Sequence, residues 1–127
     1  PTYPAGHSTV AGVAVTLLKA FFNEDFVLPQ TFIPNDAGSA LVTLDNTPLT
    51  IGGELNKFGA NMAMARNIAG VHYRCDCAES MKLGEQVALA LLEDWAYSNH
   101  IPFTGFSLTK FDGTQVTVGA TQVAETI

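Results

Sequence analysis

Apolar residues recur at helical spacing in three segments of the chain, and each segment predicts a helix. The first helix is expected from Ser8 to about Asn23 and is apolar on most sides, which predicts that it is buried. Its β-branched residues are poor helix formers, so tertiary packing must stabilise it. Its apolar positions are Val10, Val13, Val15, Leu17, Leu18, Phe21 and Phe22.

The second and third helices carry their own start and stop signals. The second is predicted over about Gly53–Ala69, with Gly70 as its stop. The third is predicted over about Cys77–Ser98, with Asp76 as its N-cap and Glu79 completing a capping box. The apolar positions expected to face the core are Leu55, Phe58, Met62 and Ala65 in the second helix, and Met81, Leu83, Val87, Leu91, Leu92 and Trp95 in the third.

The remaining segments are not helical in pattern. Residues 24–50 hold three prolines and predict a long loop, with at most a short strand at Leu41–Leu44. Pro102 ends any continuation of the third helix. The stretch FSLTKFDGTQVTV alternates apolar and polar residues around Asp112 and Gly113, which predicts a β-hairpin. A single hairpin cannot bury its own apolar face, so it must lie on another part of the protein.

The fold class predicted is therefore mainly α: a helical bundle with a long loop and a C-terminal β-hairpin, in one domain over residues 1–127, with fraying from about Thr121. Hydrophobic residues make up 47% of the chain, which indicates a generous core or an apolar surface for a partner. The net charge of −6 argues against a nucleic-acid partner. No apolar run is long enough to cross a membrane, so we expect a soluble chain; its compartment stays open.

The two cysteines, Cys75 and Cys77, are too close in sequence for an unstrained disulfide. Two thiols are also fewer than the ligands that zinc usually needs. We therefore interpret both as free thiols, without assigning a redox compartment.

The stretch PAGH, residues 4–7, precedes the first helix and has the features of an anion site. Gly6 lets the backbone approach a ligand closely, and a helix start offers unpaired N–H groups to a phosphate-like group. His7 at the rim could donate or accept a proton. The alternative is a proline–glycine turn before a helix, with no chemical role.

Two further motif residues flank the stop of the second helix. Arg66 lies near its end and His72 lies just past Gly70. On a continuous helix the two side chains would point about 120° apart, but a break at Gly70 could turn both toward one point. Arg66 would then offer a planar, permanently charged fork to an oxyanion. The alternative is a solvent-facing arginine and a histidine in a turn.

Asp76 follows His72 by four residues and could accept a hydrogen bond from one imidazole nitrogen. That bond would fix the tautomer of His72 and leave its other nitrogen free to attack or to bind a metal. The alternative is a simple N-cap, and the two roles can coexist.

Taken together, PAGH and the later spacing Arg66-x5-His72-x3-Asp76 resemble the last two of three signature motifs of the vanadium-dependent haloperoxidases. These enzymes share a fold with the type 2 phosphatidic acid phosphatases and the bacterial acid phosphatases. The stretches YPAGHSTVAGV, LTIGGELNKFGANMAMARN, GVHYRCD and FTGFSLTKFDGT look like bacterial and cyanobacterial haloperoxidases, and the resemblance covers nearly the whole chain.

The resemblance implies a vanadate cofactor and a role for each motif residue. His72 would be the metal ligand, Arg66 and the backbone N–H of Gly6 would hydrogen-bond the vanadate oxygens, and His7 would be the acid–base group that helps peroxide to lose its protons. Asp76 would orient His72. Arginine and helix-start amides would neutralise the oxyanion. In a phosphatase, His72 would instead attack phosphorus and carry a phosphohistidine.

The sequence departs from the family pattern in two places. The family motif is often PSGH, and Ala5 replaces its serine, which removes a hydrogen bond worth about 1.5–3 kcal/mol to a charged partner. The family's first motif, a lysine some six residues before Arg-Pro, has no counterpart in the 127 residues. The resemblance therefore predicts the C-terminal part of a haloperoxidase-like catalytic domain, present as a fragment, a cleavage product or one half of a split enzyme.

The leading hypothesis is peroxide-driven oxidation of bromide or chloride to hypohalous acid, which then halogenates small organic substrates. An N-terminal polypeptide or segment would complete the site, and we expect an oligomer, whose state the sequence leaves open. Two alternatives are a phosphomonoesterase on the same scaffold and a non-catalytic remnant that contributes helices to an assembly. The intact set of motif residues favours an enzyme over the remnant.

Overall fold

A computed structural model describes residues 2–44, 48–99 and 104–119, which form three helices and two antiparallel hairpins. The mainly α, helical-bundle fold class is confirmed. The expected end of the third helix at Pro102 and the fraying from Thr121 lie outside the described residues. The elements are α1 Gly6–Phe21, β1 Phe32–Pro34, β2 Leu41–Thr43, α2 Ile51–Ile68, α3 Arg74–Ser98, β3 Phe106–Thr109 and β4 Gln115–Val118.

The helices begin two or three residues earlier than their patterns predict. In α2 the reason is Thr50, whose Oγ1 accepts a hydrogen bond from the backbone N–H of Gly53 at 3.1 Å and so caps the helix. The stop of α2 is correct, because Ala69 is the C-cap and Gly70 follows with a φ of 70°. Left-handed backbone at this position is typical of glycine after a helix.

The prediction that Asp76 is the N-cap of α3 is wrong. The N-cap is Tyr73, and Asp76 is the third residue of the helix, where its Oδ2 accepts the backbone N–H of Tyr73 at 3.0 Å. An acidic residue three positions after the N-cap can reach back to that N–H, so the same pattern also fits a helix that begins one turn earlier. Glu79 pairs with Lys82 at 2.9 Å on the exposed surface.

Glycines lie at the closest contacts between the helices. A Cβ added at Gly84 of α3 would overlap the carbonyl oxygen of Thr9 in α1, and one added at Gly12 would overlap the carbonyl oxygen of Met81. Gly59 of α2 packs in the same way against the side chain of Val15. The backbones of α1 and α3 therefore approach closely, as glycine permits, while Gly59 of α2 makes room for side chains.

Many large apolar side chains lie outside these contacts and are exposed to solvent. The expectation that α1 is buried on most sides is wrong: Val10 is 64% exposed and Phe21 is 80% exposed. Phe58 of α2 and Trp95 of α3, which we expected to face the core, are also more than half exposed. The buried face of α1 is built instead from Ser8, Ala11, Gly12, Val15, Thr16 and Lys19.

The segment predicted as a long loop contains a hairpin that the sequence pattern did not predict. Strands β1 and β2 pair antiparallel, with Ile33 opposite Val42. Asn35 closes the turn, since its Oδ1 accepts the backbone N–H of Ser39 at 2.9 Å, and Gly38 adopts a φ of 66°. Both strands are exposed, and Pro34 lies at the end of β1.

The C-terminal hairpin is confirmed. Strands β3 and β4 pair with Leu108 opposite Val116, and Gly113 in the turn has a φ of 83°. Leu108 and Val118 are buried, with β3 beside α1 and β4 beside α3, so the hairpin lies on the helices as its apolar face requires. Within the described ranges, no helix is long and apolar enough to span a membrane.

Candidate active site

The PAGH turn is held against α3 and α2 by Ala5. This residue is the N-cap of α1 and is completely buried, in an apolar cluster with Ala63 of α2 and Cys77 of α3. Its backbone N–H donates to the Oγ of Ser80 at 2.8 Å. The turn is therefore fixed by both packing and a hydrogen bond, and the expected effect of Ala5 on vanadate affinity stays a prediction.

Gly6 and His7 form the exposed first turn of α1. The first turn contains no acidic residue, and the N-cap Ala5 supplies no side-chain acceptor. The first N–H groups of a helix have no partner within the helix, and they carry its positive end. This turn can therefore receive an anion without displacing a side-chain cap of the protein.

The end of α2 brings the backbones of Arg66 and His72 together. The N–H of Gly70 donates to the carbonyl of Asn67 at 2.9 Å, and the N–H of Val71 donates to that of Arg66 at 3.2 Å, which is the Schellman pattern. The N–H of His72 also donates to the Arg66 carbonyl, at 3.3 Å. The break at Gly70 that the sequence predicts thus folds His72 back onto the turn that carries Arg66.

The Arg66 side chain is half-buried and short of partners. Its Nε is buried without a hydrogen bond, and no carboxylate pairs with its guanidinium among residues 2–44, 48–99 and 104–119. A buried N–H without an acceptor is costly, so this guanidinium is suited to an external oxyanion.

His72 and Asp76 lie side by side at the junction of α2 and α3. The Nδ1 of His72 is 3.5 Å from the Oδ2 of Asp76, and their side chains are 17% and 11% exposed. This separation is long for a hydrogen bond, and Nδ1 has no closer partner in the described chain. The carbonyl of His72 accepts a hydrogen bond from the Nδ2 of Asn67 at 2.8 Å, which fixes the backbone of the histidine.

Asp76 carries its charge at neutral pH. The hydrogen bond from the backbone N–H of Tyr73 lowers the pKa of Asp76, and His72 and the Cys75 thiol lower it further against the opposing effect of burial. The Sγ of Cys75 is 3.7 Å from Oδ1. An ionised carboxylate facing Nδ1 favours the tautomer that leaves Nε2 free as a ligand.

The predicted site residues form two groups. Arg66, His72 and Asp76 are joined through the α2–α3 junction, whereas no hydrogen bond or ion pair links His7 to any of them in the part of the chain that the structure describes. The groups are connected through Ala5 and Ser80. Sequence reasoning missed Ser80 and Asn67, although Ser80 lies one helical turn after Asp76, and that spacing places both on one face of α3.

Within the described residues, no group of three or more His, Cys, Asp or Glu side chains is close enough to hold a metal ion. Both cysteines are free thiols, Cys75 exposed and Cys77 buried. What the described residues offer is one imidazole beside a carboxylate, an arginine without a partner, and a helix start. That set suits an oxyanion held partly through a histidine, rather than a bare divalent cation.

Comparison with known protein families decides the relationship. The sequence model of the VCPO second helical-bundle domain matches residues 1–98. The chain belongs to this family. The match covers α1, α2 and α3, which confirms the resemblance that the motifs indicate.

Individual relatives agree with the assignment to the VCPO second helical-bundle domain. The chain is 44% identical over 119 residues to the vanadium-dependent bromoperoxidases of Corallina officinalis and Corallina pilulifera, across 93% of its own length. It is 37% identical over 95 residues to that of Ascophyllum nodosum. The chain spans about a fifth of the length of these curated relatives.

Proposed function

We propose that this chain is the C-terminal part of the catalytic domain of a vanadate-dependent haloperoxidase. The reaction consumes hydrogen peroxide, a halide and a proton, and yields hypohalous acid and water. The observation that carries the proposal is the pair His72 and Asp76, 3.5 Å apart at the α2–α3 junction. Arg66, near the end of α2, has a buried Nε without a hydrogen-bond partner among the described residues. The similarity to proteins named bromoperoxidases supports bromide as the first halide to test.

The described residues fit vanadate as a cofactor. Vanadate is an oxyanion; among the described residues the buried Nε of Arg66 has no acceptor and the first turn of α1 has no side-chain cap. When bound, vanadate would supply a Lewis-acidic centre for the activation of peroxide. The Nε2 of His72 would ligate it, while Arg66 and the N–H of Gly6 would donate hydrogen bonds to its oxygens.

The other residues handle protons and orientation. Asp76 favours the Nδ1–H tautomer of the neutral His72 ring, in which the lone pair lies on Nε2. His7, exposed on the first turn of α1, would take protons from incoming peroxide. A lysine and an Arg-Pro pair from another segment or polypeptide would supply further positive charge, and small organic substrates would then react with the hypohalous acid.

The test is bromination of a phenolic dye by the complete enzyme that contains this chain, supplied with peroxide, bromide and vanadate. Replacing His72 with Ala should abolish halide-dependent turnover. Tyr73→Phe is the matched control, because the Tyr73 side chain is 63% exposed and its backbone, not its hydroxyl, bonds to Asp76. Unchanged turnover in His72→Ala would overturn the assignment.

The same preparations separate the alternatives. A phosphomonoesterase would hydrolyse a phosphate ester, be inhibited by vanadate and oxidise no halide, since His72 would then attack phosphorus. A non-catalytic remnant would bind no vanadate in an equilibrium titration of the complete assembly. The three named bromoperoxidases among its relatives favour the haloperoxidase over both.

A further inference from the structure

The proposed site is formed by two parts of the chain, and both must hold their positions relative to each other for the site to bind one oxyanion. The PAGH turn opens α1, and Arg66, His72 and Asp76 lie about sixty residues later, around the α2–α3 junction. An oxyanion held by both parts would be sensitive to any shift of α1 relative to α3. Donor positions must be held to within a fraction of an ångström for full effect.

Ser80 supplies a polar connection between these two parts. It is completely buried on α3, one helical turn after Asp76. Its Oγ accepts the backbone N–H of Ala5 at 2.8 Å, across 75 residues of sequence. In the described part of the chain, this is the one hydrogen bond between α3 and the PAGH turn.

The packing around this bond leaves little freedom. Ala5 is enclosed with Ala63 and Cys77, and the next turns of α1 and α3 are in contact at Thr9 and Gly84. Packing sets how closely the two helices approach, while the Ser80 Oγ fixes where the Ala5 N–H lies along α3. The next N–H in the chain belongs to Gly6, the proposed vanadate donor.

We propose that Ser80 is a positioning residue for the oxyanion site. By accepting the Ala5 N–H, it sets the location of the Gly6 N–H and of His7 relative to His72 and Asp76. The proposal deepens the proposed function and rests on it. Ser80 itself does not touch the cofactor or the reacting atoms.

The experiment compares Ser80→Ala with Thr16→Val in the complete enzyme. Thr16 is a matched control because it is equally buried on the helical interface, but its Oγ1 donates within α1, to the carbonyl of Gly12 at 2.9 Å. Both variants lose one buried hydroxyl, so both should lower the melting temperature. Ser80→Ala alone should raise the dissociation constant of inorganic vanadate, measured by equilibrium dialysis, by about tenfold, equivalent to about 1.4 kcal/mol.

Hydrogen exchange gives a second readout that needs no vanadate. In Ser80→Ala the amides of residues 5–9 should exchange about tenfold faster, and in Thr16→Val they should not. If Ser80→Ala does not fold, Ser80→Cys keeps a similar volume with a weaker acceptor and takes its place.

The outcomes distinguish this proposal from the proposed function. A twofold or smaller change in vanadate affinity for the Ser80 variant, with wild-type protein binding normally, overturns the positioning role. If wild-type protein binds no vanadate, the proposed function fails, and exchange at residues 5–9 still decides whether Ser80 positions the turn. Equal loss of affinity in Thr16→Val would also overturn the proposal, because general destabilisation would then explain the effect.

Discussion

At the scale of single residues, Arg66 is the side chain best suited to bind an anion. Its Nε is buried and has no hydrogen-bond partner in the part of the chain that the structure describes, so the bound oxyanion should provide its acceptor. Hydrogen bonds to charged groups contribute about 1.5–3 kcal/mol, so Arg66→Ala should weaken vanadate binding at least about tenfold. Lys57→Ala, which removes an exposed cation from the same helix, should leave the affinity unchanged. Equal affinities in the two variants would contradict the role of Arg66.

Asp76 should make stability depend on pH in acid. Its pKa is lowered in the folded protein, chiefly by the Tyr73 N–H, so its contribution to stability is complete above the unfolded value of 3.8. That contribution is lost as the pH falls through the lower folded pKa. Asp76→Asn keeps an oxygen acceptor but no charge, so it should be less stable than wild type near pH 7 and nearly equal to it in strong acid.

Urea unfolding across this pH range measures the Asp76 effect. Asp112→Asn is the matched control, because hydrogen bonds from Thr114 lower the pKa of Asp112 to about 2 in a turn at the C-terminal hairpin. Both variants should lose stability at neutral pH, but only Asp76→Asn should also weaken vanadate binding. A stability difference for Asp76→Asn that persists unchanged in strong acid would rule out the charge as its cause.

The sequence identified the motif residues but not the residues that fix their positions. Gly6, His7, Arg66, His72 and Asp76 could be named because each of the two motifs is a short local pattern, and the family resemblance joined the two. The bond from Ala5 to Ser80 spans 75 residues, and no local pattern predicts such a contact. The roles proposed for the motif residues remain predictions.

At the scale of elements, the contact between α1 and α3 depends on two glycines. A methyl group at Gly84 would overlap the Thr9 carbonyl, which belongs to rigid helical backbone. Gly84→Ala should therefore lower the free energy of unfolding by about 1–3 kcal/mol or more, despite the better helix propensity of alanine. Gly53→Ala is the control, since among the described residues its Cβ would meet just the Thr50 Oγ1, at 3.1 Å, and a side chain can shift.

Urea unfolding of both glycine variants gives the comparison. Helix propensity alone predicts that Gly84→Ala stabilises the protein. That result would contradict the role of the close α1–α3 contact, because the helices could then move apart without loss of stability. The clash also predicts an indirect loss of vanadate affinity, because Gly84 lies one turn beyond Ser80 on α3.

Element bounds and element faces differ in how well the sequence predicts them. The predicted bounds lie within two or three residues of the observed ones, because Gly70 and the Asp112–Gly113 turn are signals that depend on the neighbouring sequence alone. The buried faces were assigned only in part: Val15 is buried and Met81 packs on the core, as predicted, but most of the predicted large residues are more exposed. Periodicity follows large apolar residues, whereas the closest contacts use Gly12, Gly59 and Gly84. The β1–β2 hairpin was missed because its strands have three residues each and include Pro34.

At the scale of the whole molecule, charged side chains hold the C-terminal hairpin on the helices: Lys19 and Glu85 are buried, and Glu24 is half-buried. The Oε1 of Glu24 accepts both the N–H and the hydroxyl of Thr109 at 2.7 Å, and the Nζ of Lys19 donates to the Thr109 carbonyl at 2.7 Å. The Oε1 of Glu85 accepts the N–H of Phe111 at 2.6 Å. Burial lowers the pKa of Lys19 and raises that of Glu85, so both groups depend on these bonds.

Removing Glu24 should therefore loosen the hairpin. Glu24→Ala loses two hydrogen bonds and leaves the charge of Lys19 less balanced, so the free energy of unfolding should fall by about 2–4 kcal/mol. Glu79→Ala removes a carboxylate from an exposed pair with Lys82 and should cost less than about 1 kcal/mol. Denaturant unfolding and hydrogen exchange over residues 106–118 measure both, and equal effects would contradict the special role of Glu24.

The outward-facing apolar side chains make a prediction about the chain by itself. Phe21 is 80% exposed, Ile68 87% and Phe58 61%, which is a large apolar surface for a small protein. The proposed complementary segment would cover part of it, so the 127-residue chain expressed alone should bind an apolar dye and associate as its concentration rises. Phe21→Ser combined with Phe58→Ser should reduce both effects. A chain that stays monomeric and binds no dye at high concentration would contradict this reading of the surface.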